Sequence, residues 1–269
     1  MLLDFCIETI HHLQGMNDVS ANKPHLVIVA SKQALNRGRR GTVNEHVEQG
    51  WNFFLVLGKP DQLDPEIAVL PYFMTQQARR PMGLGKREHI QAICEQSEVA
   101  GAWQRACGSA VSAQDIEAMY REFQPIQMQC LADYAELIPG ALEAVAALRI
   151  KGVRIGTTTG YFTEALELVV EAAARQGYIA DSNVCVSQVP AGRPEPWMLI
   201  QNMANLGIYP PAAVVKVDDT PPGIAEGLNA GAWAVGLAKT GNEVGLSLED
   251  SNAASPAELE ALLSKARET

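Results

Sequence analysis

Four short segments of this chain combine residue types that chemistry uses. Val214-Val215-Lys216-Val217-Asp218-Asp219-Thr220 is an apolar run ending in two adjacent carboxylates and a hydroxyl. In open α/β sheets ligands bind beyond the carboxyl ends of the strands, and oxygen donors suit a hard cation such as Mg2+, which keeps several waters. The same pair equally well caps the helix that follows. Ile155-Gly156-Thr157-Thr158-Thr159-Gly160-Tyr161 ends in hydroxyls and a glycine ahead of a helix. Hydroxyls, backbone N–H groups and a helix N-terminus together make an anion site, although turn capping alone accounts for them.

Val189-Pro190-Ala191-Gly192-Arg193-Pro194 is a stiffened loop presenting one guanidinium. Arginine there can hold a phosphoryl oxygen through charge-assisted bonds, while an ordinary loop arginine stays on the surface. Pro81-Met82-Gly83-Leu84-Gly85-Lys86-Arg87-Glu88-His89 has a superficial likeness to a phosphate loop. Its first glycine is out of spacing, and Arg87 stands where a Ser or Thr would hold Mg2+. A lysine in a glycine-bounded, partly apolar setting can instead lose its proton and form a Schiff base with a carbonyl; an exposed lysine is the plainer alternative.

These segments need elements to position them. From Pro139 onward helical and strand patterns alternate, the signature of βαβ units and a parallel sheet. Leu142, Val145 and Leu148 put one apolar stripe on a helix that Gly152 ends. The strand from Val153 to Thr157 follows, then a helix from a Thr163 N-cap to Gly177, and a short strand at Val184-Cys185-Val186. Trp197 to Leu206 reads as a helix, Ala213 to Val217 as a strand, Ile224 to Asn229 as a helix and Trp233 to Leu237 as a strand.

Residues 86–135 read as helices without strands: His89 to Glu95, Val99 to Cys107, and Ile116 to about Tyr134, interrupted at Pro125. Ser112-Ala113-Gln114-Asp115 has capping-box spacing. An all-helical block ahead of a βαβ series predicts a cap over a sheet. Residues 1–77 hold one helix pattern, Leu2 to Leu13, and two strand patterns, Leu26 to Val29 and Phe53 to Leu57.

With 269 residues, 47% of them hydrophobic and 19% charged, the chain is expected to fold around a real core. A formal charge of −10 repels nucleic acid and anionic membranes, and the short run Asn36-Arg37-Gly38-Arg39-Arg40 does not reverse it. The 5 cysteines show no CxxC spacing, which fits reduced thiols in a cytoplasmic protein. No basic leader and no bilayer-length apolar run are present, so neither a signal peptide nor a membrane span is expected.

Taken together and in this order, PMGLGKREH, IGTTTGY, VPAGRPEPW and VKVDDT resemble the phosphonoacetaldehyde hydrolases, Mg-dependent phosphonatases of the haloacid dehalogenase superfamily; the likeness runs from about Ala78 to Asp250. The resemblance implies a Rossmannoid parallel sheet with a helical cap: residues 1–77 outside the match, a cap over 78–137, and a C-terminally shortened α/β core over 138–269. It implies hydrolysis of the C–P bond of phosphonoacetaldehyde to acetaldehyde and phosphate. By position, Lys86 matches the imine-forming lysine and His89 the cap histidine of proton transfer. Met82, Thr159, Gly160, Tyr161 and Arg193 match substrate- and phosphoryl-binding positions, and Asp219 matches the Mg2+ carboxylate. Gly223 stands where some members have a second aspartate, which leaves Asp218 or water to complete the metal shell. Relatives tend to dimerise through the cap.

The family's nucleophile lies in an Asp-Trp-Ala-Gly-Thr segment ending the first core strand, and residues 1–77 contain no Asp-x-x-Gly-Thr. Without it no aspartyl phosphate forms, and the sheet must recruit Leu26 to Val29 or Phe53 to Leu57 as a first strand or lose stability. Three readings stay open: a phosphonatase relative that has lost turnover, a non-catalytic binder of phosphonate, phosphate or a partner, and a different phosphatase using Asp4. An unmatched beginning and an early end, near Pro256 to Thr269, also fit a rearranged reading frame.

Overall fold

The computed structural model describes residues 26–30, 77–132, 135–237, 255 and 257–258. The helix pattern from Leu2 to Leu13, the strand pattern from Phe53 to Leu57, and Asp4 lie outside them. Alternation in the sequence becomes a parallel α/β sheet of order β3-β2-β1-β4-β5. Its strands are β1 (Leu26–Ala30), β2 (Arg154–Thr159), β3 (Ser182–Cys185), β4 (Val214–Asp218) and β5 (Trp233–Gly236). From β1 the chain builds outward to β3, then returns to place β4 and β5 on the other side. The order therefore reverses between β1 and β4, and open α/β sheets bind ligands beyond the carboxyl ends of the strands at such a point.

The central place belongs to Leu26–Ala30, one of the two segments expected to serve as first strand. Leu26 pairs with Arg154 on one side and Val214 on the other, and Ala30 is level with Thr158. An apolar run suits a strand enclosed on both sides.

Helices α1 (Lys86–Cys94), α2 (Ser97–Cys107) and α3 (Ala113–Leu131) form the block that precedes β2. They bury Ile90, Cys94, Trp103, Ile116 and Met119 against one another. Ser112 and Asp115 make the expected reciprocal cap, with Asp115 N–H donating to Ser112 Oγ at 3.2 Å and Ser112 N–H donating to Asp115 Oδ2 at 2.8 Å. One expectation fails: α3 runs through Pro125 without a break. The proline lies on the exposed side, while Met119 and Leu131 are buried on either side of it; packing of that face outweighs the lost backbone bond. Leu131 joins Tyr161, Phe162 and Ala165 in a cluster that fastens α3 to the sheet unit.

Helices α4 (Ala141–Ile150), α5 (Thr163–Arg175), α6 (Trp197–Leu206) and α7 (Pro221–Asn229) connect the strands. Leu148 of α4 packs with Val153, Ile155, Val215 and Val217. Leu199 and Met203 of α6 pack with Val214 on the opposite face. Alternation along β4 thus puts Lys216 on the same face as Val214, under α7: a Cβ on Gly227 would come within 2.7 Å of Lys216 Cβ. The cap of α5 is shifted by one residue from expectation, with Phe162 at the N-cap. Among the described residues no helix is long and apolar enough to cross a membrane.

Candidate active site

The four segments singled out above converge at the carboxyl edge of the sheet. Gly83 has φ +103, and a Cβ there would fall 2.3 Å from Thr220 Oγ1, so only glycine lets this turn sit against the end of β4. Its carbonyl accepts from Arg193 Nη1 at 3.3 Å. A Cβ on Gly160 would meet the backbone oxygen of Leu84 at 2.4 Å, which brings the turn after β2 against the same segment. Gly85 and Gly192 both close on the side chain of Val186. Because the atom opposite Gly160 is backbone, Gly160→Ala must push the segment carrying Lys86 away from the sheet; we expect a loss of about 1–3 kcal/mol in urea unfolding. A variant as stable as the parent would show that the approach is not required.

Lys86 opens α1, with its ammonium 5.3 Å from the centroid of the Tyr161 ring. It keeps partial solvent contact, yet packing around its head and the nearby Arg193 lower its pKa to about 8. His89, one turn on, is buried, with Nε2 2.7 Å from the Ala78 carbonyl. A carbonyl only accepts, so Nε2 carries the proton and Nδ1 is the basic nitrogen. Burial and the charge of Lys86 hold the ring's pKa down at about 3, against the pull of the Ala78 bond. Met82 is half-buried in the turn that precedes α1.

On the sheet side, Thr159 ends β2 and its Oγ1 accepts from Tyr161 N–H at 3.3 Å. Tyr161 is buried against the end of α3. Arg193 is 8% exposed, and its Nε, Nη1 and Nη2 each donate to protein. Nε donates to Glu226 Oε2 at 3.0 Å, and Nη2 donates to the Thr158 carbonyl at 2.9 Å and to Thr158 Oγ1 at 2.7 Å. Lys216, wholly buried, donates to Glu226 Oε2 at 2.8 Å and to Thr158 Oγ1 at 2.5 Å. Sequence reasoning missed Thr158, Lys216 and Glu226. A signal was present: a lysine between valines in a doubly covered strand must find a buried partner.

Asp218 ends β4 inside this network. Its Oδ1 accepts from Asp219 N–H at 2.9 Å, Thr220 N–H at 3.0 Å and Thr220 Oγ1 at 2.9 Å. Oδ2 takes no hydrogen bond but faces Lys216 Nζ at 3.3 Å and Arg193 Nη2 at 3.6 Å. Burial alone would raise its pKa; the two cations and Thr220 outweigh that and hold it below the usual carboxylate value. Asp219 is half-buried. A full Mg2+ shell does not fit these residues. Oδ1 of Asp218 is engaged by three donors, a divalent ion at Oδ2 would meet two positive charges, and residue 223 is a glycine. Among the described residues no group of three or more His, Cys, Asp or Glu side chains could hold a metal ion.

The haloacid dehalogenase-like hydrolase family model matches residues 36–231. A phosphonoacetaldehyde hydrolase-like protein of Syntrophobacter fumaroxidans is 48% identical over 184 residues, 68% of this chain and 66% of that protein. A phosphonoacetaldehyde hydrolase of Klebsiella pneumoniae is 47% identical over 185 residues, 68% of this chain and 69% of that protein. The chain thus matches about two thirds of the length of these relatives. Among solved structures, a phosphonoacetaldehyde hydrolase-like protein from Oleispira antarctica superposes with a TM-score of 0.76 at 32% identity, covering 94% of this chain and 86% of that one.

Proposed function

The chain belongs to the haloacid dehalogenase-like hydrolases as a relative of the phosphonoacetaldehyde hydrolases, and from that premise we propose that it keeps the imine-forming half of C–P bond hydrolysis and lacks the half that attacks phosphorus. The neutral Lys86 amine adds to the aldehyde carbon of phosphonoacetaldehyde, and the resulting carbinolamine takes up one proton from solvent and loses water, giving a protonated imine. That nitrogen is the electron sink which lets the C–P bond break, its electron pair leaving as an enamine. His89, through Nδ1, is placed one turn away for proton transfer. Arg193 and the turn Thr159-Gly160-Tyr161 face the phosphonate, and Met82 borders the aldehyde. The single observation behind the reading is Lys86 held over Tyr161 with its pKa lowered to about 8.

The second half needs a nucleophile at phosphorus, and β1 ends Val-Ala with no carboxylate. Losing a nucleophile removes several orders of magnitude in rate. Hydrolases of this family generally use Mg2+, and Asp219 is the carboxylate of this edge that we assign to it.

Incubation of the full chain with phosphonoacetaldehyde and borohydride should give one reduced adduct, mapped to Lys86 by mass spectrometry. Phosphate release with Mg2+ should stay at background. Absence of the adduct would sink the reading; Lys86-dependent turnover would overturn the loss of the second half and turn attention to Asp4.

A further inference from the structure

Asp218 and residue 223 compete for one space. A Cβ built on Gly223 would lie 1.9 Å from Oδ2 and 2.0 Å from the carboxyl carbon of Asp218. Any side chain at 223 must therefore expel this carboxylate, and any carboxylate at 218 in this rotamer requires glycine on α7. The group filling that space is almost wholly buried, at 1% exposure, and engaged at both oxygens. Three donors from its own turn hold Oδ1. Two cations from different segments face Oδ2, Lys216 from β4 and Arg193 from the loop after β3. Glu226, from α7, binds the same two cations from their other side. Arg193 and Lys216 against Asp218 and Glu226 make a balanced set of charges.

We propose that Asp218 is a positioning residue: an internal counter-ion that fixes the Arg193 guanidinium and Lys216 ammonium under the anion site, and not a ligand of a divalent cation. A cation at Oδ2 would sit beside two positive charges in a poorly screened interior. A cation at Oδ1 would have to displace donors that fix the turn carrying Asp219. Mg2+ requires near-octahedral oxygen ligands and gives up water reluctantly, so with Asp219 as its protein carboxylate here it binds weakly. The inference rests on the reading of Arg193 as the phosphoryl-facing residue, but its test is read on Asp218 and not on Lys86, so the two fail separately.

Calorimetry on the full chain, with Mg2+ and with inorganic phosphate as separate probes, decides it. In Asp218→Asn, which keeps the shape and removes one negative charge, Mg2+ affinity should stay within about twofold of the parent. Phosphate should bind about tenfold more tightly, because the guanidinium loses one of the two carboxylates that neutralise it and keeps only Glu226. A fall of tenfold or more in Mg2+ affinity, or unchanged phosphate affinity, overturns the proposal. A steric cycle guards against a misfolded variant. Gly223→Asp alone should lower Tm by several degrees, while Asp218→Gly with Gly223→Asp should regain most of that loss and bind Mg2+ at least about tenfold more tightly than the parent. If the two changes lower Tm additively, with no recovery in the double variant, the shared space is refuted.

Discussion

Glu226→Ala should destabilise the fold by about 3–5 kcal/mol, the cost of leaving buried charges without their partner. Glu226 is fully buried on α7 and its Oε2 is shared by Lys216, Arg193 and Thr158 Oγ1. Removing it leaves two cations facing Asp218 alone. Burial already lowers the pKa of Lys216, and Arg193 lowers it further, while Glu226 and Asp218 pull it back up. Without Glu226 that ammonium gives up its proton more readily still, so part of the loss should be recovered at alkaline pH. Urea unfolding at neutral pH checks this: the midpoint should fall with little change in slope. Glu226→Gln, which keeps hydrogen-bonding capacity, should lose less. A loss below about 1 kcal/mol for the alanine variant would show that the network contributes little beyond replacing hydration.

The same network marks the boundary of what the residues alone disclosed. The helix Trp197–Leu206 was legible to the residue because Gly207, at φ +64, ends it and the apolar face is periodic. Each βαβ unit expected after Pro139 is present, with bounds shifted by a few residues, as in β3, which spans Ser182–Cys185 where a strand over Val184 to Val186 was expected. The family resemblance, carried by four motifs in order, held up against the relatives and the fold. Leu26–Ala30 was one of two possible first strands; propensity could not rank it above Phe53 to Leu57, because its place depends on pairing with β2 and β4 far along the chain. Pro125 misled for the opposite reason, since local backbone chemistry argued for a break and packing of the buried face prevailed. In the site, Thr159 stood out by its position in the motif, yet it is Thr158 that bonds Arg193, Lys216 and Glu226. A single residue of strand register separates the two, and register is set by neighbours that the sequence does not name.

Imine formation at Lys86 should follow a pKa near 8 and vanish in Lys86→Met. Only the free amine adds to a carbonyl, so the borohydride-trapped fraction should rise with pH through a midpoint near 8 instead of the ordinary lysine value of 10.5. At neutral pH this enlarges the reactive fraction by roughly two orders of magnitude over an unperturbed lysine. The same shift carries a stability cost with a definite sign. The folded chain holds the Lys86 proton less tightly than the unfolded chain, so below about 8 the charged, desolvated ammonium opposes folding in full. Between about 8 and 10.5 the unfolded state binds more proton, and this contribution to stability rises with pH. Lys86→Met removes the charge while keeping an unbranched apolar side chain, so it should abolish trapping yet raise Tm at neutral pH, and the parent should close that gap as pH approaches 10.5. On the proposed reading, reactivity and stability pull in opposite directions at this residue, as expected where a fold lowers a lysine pKa for chemistry. A trapping midpoint near 10.5, or a methionine variant less stable than the parent at neutral pH, would show that Lys86 is an ordinary surface lysine.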